Sequence, residues 1–193
     1  MLRIVLIRPG STDFDEQGRI KGTLDIPLSE NGTYQVARIV EELRETPIDY
    51  IYTSPCQAAE QTAAAVALPR RMRVRSLDEL QNLDHGLWHG KLVDEVRQSQ
   101  PKVYRQLQEH PETVCPPQGE AVGDALVRVR NAMTRLVRKH RRGVVGLVVP
   151  EPCASLVRSV LKHCDLGDLW KAECEAGGWQ LIEVHPEGLA ATT

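Results

Sequence analysis

The chain opens on Leu2 to Ile7, an apolar run broken by one charge, the pattern of a strand buried in a parallel sheet. A loop rich in Gly, Asp and Ser follows, to about Pro27. Ser29 is placed to cap a helix whose apolar positions Val36, Ile39, Val40 and Leu43 recur at helical spacing. Tyr50 to Thr53 predicts a second strand. Ser54-Pro55 is expected to open an Ala-rich helix, with proline in its first turn, that ends near Pro69. Met72 to Ser76 predicts a third strand, and Asp78 to Gly90 is irregular. Two short helices separated by Pro101 follow, then a Pro-rich loop from Pro111 to Gly119. The longest helix is predicted from about Glu120 to His140, with Val122, Leu126, Val129, Met133, Leu136 and Val137 as its apolar stripe. Gly143 to Val149 reads as a buried strand, Ala154 to Leu161 as a helix and Trp179 to Val184 as a last strand.

Strands that alternate with helices predict an α/β fold with a mainly parallel central sheet. No repeat or low-complexity tract interrupts the pattern. The expectation is a single domain over 1–193, with a small helical cap inserted at about 91–118 over one end of the sheet.

Composition changes this picture little. The 193 residues are 41% hydrophobic but only 4% aromatic, so the core has to be built from Val, Leu, Ile and Ala. A net charge of -2 argues against a broad footprint for nucleic acid or an acidic membrane. The basic run Arg138-Lys139-His140-Arg141-Arg142 reads as a solvated helix C-terminus, where cations complement the helix dipole. Five cysteines, Cys56, Cys115, Cys153, Cys164 and Cys174, match no zinc spacing. With no signal peptide and no membrane-length apolar stretch, the expectation is a cytoplasmic protein with reduced thiols. The pattern sets no oligomeric state.

The first strand ends in Arg8-Pro9-Gly10-Ser11-Thr12, which resembles the Arg-His-Gly-Glu-Thr signature of the histidine phosphatase family, whose members include cofactor-dependent phosphoglycerate mutases and fructose-2,6-bisphosphatases. The similarity runs through Gly18-Arg19, Gly22, Asp25, Pro27-Leu28-Ser29, Gly32, Ser54-Pro55 and Gln61-Thr62-Ala63. It continues in Gly86-x-Trp88-x-Gly90, Gly119-Glu120 and Trp170. So many motifs in order form a specific signal. The resemblance implies a three-layer, phosphoglycerate mutase-like α/β sandwich with its site at the carboxyl ends of the strands.

The family chemistry needs an imidazole to attack phosphorus and a second imidazole with two guanidinium groups to neutralise the oxygens. A carboxylic acid has to protonate the leaving oxygen. By the resemblance, the nucleophile position holds Pro9; residues 1–84 contain no histidine. Arg8 retains the first guanidinium. The second falls at Ala58, within the Arg-free stretch between Arg44 and Arg70. The proton donor falls at Asn82, with Glu79 and Asp84 near it in sequence. The second imidazole falls at Pro150-Glu151-Pro152-Cys153, where Glu151 and Cys153 align equally well. The pocket implied is Arg8, Gly10, Ser11, Thr12, Asn82 and Glu151, with no intact catalytic set and no cofactor.

Each replacement also has a plain structural reading. Pro9 suits the end of a strand and biases Arg8 towards extended backbone. Arg8 suits an ion pair, and a carboxylate at Glu151 would compensate it once it is desolvated. Pro150 and Pro152 withhold two backbone donors near a helix start. His85, His89 and Asp84 lack a further well-spaced metal ligand. Cys153 and Arg158 enclose Ala-Ser-Leu-Val, a helical interval rather than a phosphate-cradling loop. The reading is a catalytically degenerate family member that binds a small polar metabolite or a protein partner. The alternatives are an active phosphatase or mutase-like enzyme with a rearranged site, and a structural interaction subunit.

Overall fold

The computed structural model describes residues 1–184. Its sheet has five strands: β1 (Leu2–Arg8), β2 (Tyr50–Thr53), β3 (Val74–Ser76), β4 (Gly143–Val148) and β5 (Gly178–Val184). Their order is β3-β2-β4-β1-β5. The first four run parallel, and β5 joins β1 antiparallel, with Arg8 opposite Gly178.

Eight α-helices accompany the sheet among the described residues: α1 (Asp13–Glu16), α2 (Glu30–Glu42), α3 (Gln57–Ala67), α4 (Val93–Ser99), α5 (Pro101–Glu109), α6 (Val122–Lys139), α7 (Cys153–Lys162) and α8 (Leu169–Glu173). The alternation along β1 divides the core. Leu2, Ile4 and Leu6 pack with Val129 and Met133 of α6 and Leu156 and Val157 of α7. Val5 and Ile7 face the other way, onto Ile39 of α2 and Ala59 and Ala63 of α3. Helices therefore cover both sheet faces, and each fully buried aliphatic contributes roughly 1.5–3 kcal/mol.

Several boundaries differ from the pattern, each for a local reason. Ser54-Pro55 does not begin a helix: the Ser54 hydroxyl donates to Leu80 O at 2.6 Å. The helix starts at Gln57, whose amide is held by Asp25 Oδ1 at 2.7 Å. The loop before Pro27 contains α1, closed by a capping box between Thr12 and Asp15. Helix α8, capped by Asp168, was not evident in the pattern. The 91–118 stretch holds α4 and α5, and Trp170 of α8 donates its indole N–H to Tyr104 O of α5 at 3.0 Å.

The loop after β1 lies against the start of α2 with no room for side chains. A Cβ on Gly10 would fall 2.3 Å from Gly32 O, and one on Gly32 would fall 2.0 Å from Ser11 O. That contact places the first loop of the site.

Candidate active-site cleft

Because β1, β2 and β4 are parallel, Arg8, the Ser54 turn and Pro150-Glu151 emerge at the same edge of the sheet. Between them is a cleft lined by Pro9, Gly10, Thr12, Lys21, Ala58, Asn82, Glu151 and Glu175, with Asp15, Leu24, Ile26 and Cys56 among its other walls. Its interior volume is about 20 Å³, room for roughly one water.

The sequence-designated positions divide into two groups. Pro9, Gly10, Thr12, Ala58, Asn82 and Glu151 line the cleft together. Ser11 does not: its hydroxyl and amide donate to Gln35 Oε1 of α2 at 2.9 and 2.8 Å. Thr12 lines the cleft with its hydroxyl engaged by Asp15 in the cap. Cys153 lies beneath the wall, fully buried, with Sγ 3.7 Å from Leu80 O. Burial pushes its thiol up to about 12, against the opposing pull of Arg128, so it holds no useful thiolate. Of the two residues aligned with the second imidazole, Glu151 is the one that faces the cleft.

Glu151 is 3% exposed. Its Oε2 accepts from Ser155 N at 2.9 Å and Ser155 Oγ at 2.8 Å, and its Oε1 lies 3.9 Å from Arg8 Nη1. Ser155 is the third residue of α7, so the carboxylate sits on first-turn donors of that helix, at the end where anions are favoured. The Cys153 amide donates to Asn82 Oδ1 at 3.2 Å, and Asn82 Nδ2 donates to Gly22 O and Glu151 O at 3.2 and 3.0 Å. Asn82 thus clamps two loops with its whole amide. Burial pushes the Glu151 carboxyl above the ordinary range, and the Ser155 donors and Arg8 hold it back only in part.

Arg8 has a nearer partner that the sequence pattern did not indicate. Its Nη1 is paired with Glu175, in the turn before β5. The antiparallel register brings that turn to the end of β1, and Gly178 lets the guanidinium lie across the strand: a Cβ there would sit 3.0 Å from Arg8 Nη2.

A second charged group backs the cleft. Lys21 Nζ pairs with Asp15, while the Lys21 amide donates to Glu173 Oε1 at 3.3 Å. Glu173 Oε2 lies 3.2 Å from His85 Nε2. Burial alone would lower the Lys21 ammonium, but Glu173 and Asp15 outweigh it and hold the pKa above the ordinary lysine value. Burial would likewise raise Glu173, yet His85 and Lys21 hold it below the usual carboxylate range. His89 Nε2 faces the amides of Thr23 and His85 at 3.2 and 3.3 Å, the position of a neutral acceptor. Among the described residues no cluster of three or more His, Cys, Asp or Glu is arranged to hold a metal ion. No described helix is long and apolar enough to cross a membrane.

The cleft region thus carries two cations, Arg8 and Lys21, against the carboxylates of Asp15, Glu151, Glu173 and Glu175. Only Thr12-x-x-Asp15, a capping signature, could have pointed to part of this network in the sequence.

Comparison with known proteins agrees with this architecture. The chain is 28% identical over 185 residues to phosphoserine phosphatase 1 of Hydrogenobacter thermophilus, covering 96% of this chain and 88% of the relative. It is 26% identical over 194 residues to a probable phosphoglycerate mutase, GpmB, of Serratia proteamaculans, covering 93% and 90%. The solved structure of Bacillus stearothermophilus YhfR superposes with a TM-score of 0.81 at 27% identity, covering 96% and 92%. The sequence profile of the histidine phosphatase superfamily (branch 1) matches residues 4–193, and with a central, mainly parallel sheet to match, this chain belongs to that superfamily.

Proposed function

We propose that this chain is a histidine phosphatase-fold protein that has given up phosphohistidine chemistry and acts by binding or scaffolding. The observation that carries the reading is the carboxylate of Glu151, seated on the α7 donors beside Arg8, where a phosphoryl group would need them. Two unit charges ~4 Å apart interact by about 4 kcal/mol at an effective dielectric near 20. A phosphate dianion would meet that repulsion from Glu151 and more from Glu175. Pro9 carries no basic nitrogen, Ala58 no charge and Asn82 no acidic proton, so nucleophile, second guanidinium and acid are all without an occupant.

The names of the relatives favour a second reading, an active phosphatase or mutase-like enzyme with a rearranged site. Assay of the pure protein with phosphoserine and a generic phosphomonoester separates the two. Turnover should stay at the buffer blank. Turnover well above it, and abolished by Arg8→Ala, would establish the second reading instead.

A further inference from the structure

A different part of the molecule has the charge that the cleft lacks. At the amino ends of the strands, opposite the cleft, the last turn of α6, the segment after it and the start of β2 enclose a groove of about 610 Å³. Its walls carry Arg138, Lys139, Arg141 and Arg142, all exposed. The helix dipole accounts for Arg138 and Lys139 in the last turn but not for Arg141 and Arg142, which lie beyond it. Arg75 of β3 adds to the field: it is the register partner of Tyr52, whose hydroxyl is 2.8 Å from His140 Nε2.

None of these five cations makes an ion pair among the described residues, whereas Arg128 and Arg135, earlier in α6, pair with Glu120 and Glu79. Lys139 instead lies 5.7 Å over the Tyr52 ring. The groove's one carboxylate among its described lining, Asp49, is engaged as a backbone clamp, accepting from Val144 N at 2.7 Å. In a protein of net charge -2, four lining cations against the single carboxylate of Asp49 leave a local excess of positive charge. Tyr50, 41% exposed, forms a flat lip, with its ring centroid 4.3 Å from that of His140.

We propose that this groove binds the di- or triphosphate group of a small ligand. Several guanidinium donors spread along a concave wall suit several linked phosphates better than a single one. The exposed Tyr50 ring adds a surface on which a nucleoside base could stack. The groove shares no residue with the cleft, so the proposal stands independently of the catalytic reading.

The test is calorimetric titration of the full chain with sodium tripolyphosphate, ADP and a single-stranded oligonucleotide, without divalent metal and at low salt. Tripolyphosphate and ADP should bind saturably, and binding should weaken as salt screens the groove. Combined Arg138→Glu, Arg141→Glu and Arg142→Glu should cost about tenfold or more in affinity, with the thermal melt unchanged. If Tyr50→Ala weakens ADP but not tripolyphosphate, the source is a nucleotide; if neither changes, it is free polyphosphate. Either result supports the site. Absent binding, binding unaffected by the triple variant, or a marked preference for the oligonucleotide would overturn it. Binding lost in Arg8→Ala but kept in the triple variant would place the ligand in the cleft, against both this proposal and the reading of the cleft given above.

Discussion

A carboxylate held by Ser155 and Arg8 in a nearly dry wall has its ionisation set by a contest between burial and its donors. Burial prevails and raises the Glu151 pKa above 4.5. The folded state therefore binds more protons than the unfolded one between 4.5 and the raised value, and stability falls as pH rises through that window. Glu151→Gln removes this penalty while keeping an acceptor for Ser155. Its melting temperature relative to wild type should rise as pH goes from 4 to 7; thermal melts across that range check it, and a difference that shrinks with pH would contradict it. Arg8→Ala should act in the opposite sense, destabilising most at neutral pH, where it leaves Glu151 buried and charged. Glu151 was legible as a candidate only through the family resemblance, which aligns it or Cys153 with the second imidazole. Glu175 was not, since its partner lies far away in the chain and only the antiparallel return of β5 brings them together.

Two contacts between elements hold the cleft's walls. The Asp15–Lys21–Glu173–His85 network ties α1 and α8 to the loops between them. Lys21→Met leaves Asp15 without its ion-pair partner and Glu173 without the field of the ammonium, though it keeps the backbone amide's hydrogen bond to Glu173, and should cost about 3–5 kcal/mol in urea unfolding. Because Glu173 is held below its ordinary value, the network's contribution is present above pH 4.5 and lost as pH falls through the folded value, so acid should weaken wild type more than Lys21→Met. The second contact is the close approach of Gly10 and Gly32. Gly32→Ala puts a methyl 2.0 Å from Ser11 O and should cost about 1–3 kcal/mol or more, again by urea unfolding. Periodicity revealed the long elements well: α6 falls within the predicted Glu120 to His140, and Ser29 caps α2 as expected. The short ones, α1 and α8, escaped it, because four or five residues span too little of a helical period and their caps carry the signal.

At the scale of the whole molecule, the fold was legible because hydrophobic alternation and ordered family motifs agree, and the layers follow from the two faces of β1. The cleft was legible only as a set of positions. Which of Glu151 and Cys153 faces it, and that Ser11 and Thr12 are consumed by local hydrogen bonds, depends on side-chain directions that spacing does not encode. On the proposed reading, the loss of catalysis is collective. Pro9→His alone should not produce phosphatase activity, since groups that act as a unit recover little when one is replaced. Recovery should require Pro9→His and Ala58→Arg with His-Gly at residues 151 to 152, and Asn82→Glu for the acid. Each missing electrostatic stabiliser costs on the order of 10²–10³ in rate. Phosphomonoester hydrolysis by single and combined variants checks this, and a single variant within about tenfold of the combined one would defeat the cooperative argument.

The most direct test of the account asks whether Glu151 occupies the place of a phosphate. Inorganic phosphate is titrated calorimetrically into wild type, Glu151→Ala and the Glu151→Ala, Arg8→Ala double variant, all in the groove triple-variant background so that only the cleft reports. The account predicts no Arg8-dependent binding in wild type, a gain of at least about tenfold on removing the carboxylate, and loss of that gain when Arg8 is also removed. Wild type binding phosphate through Arg8 as tightly as Glu151→Ala would contradict it.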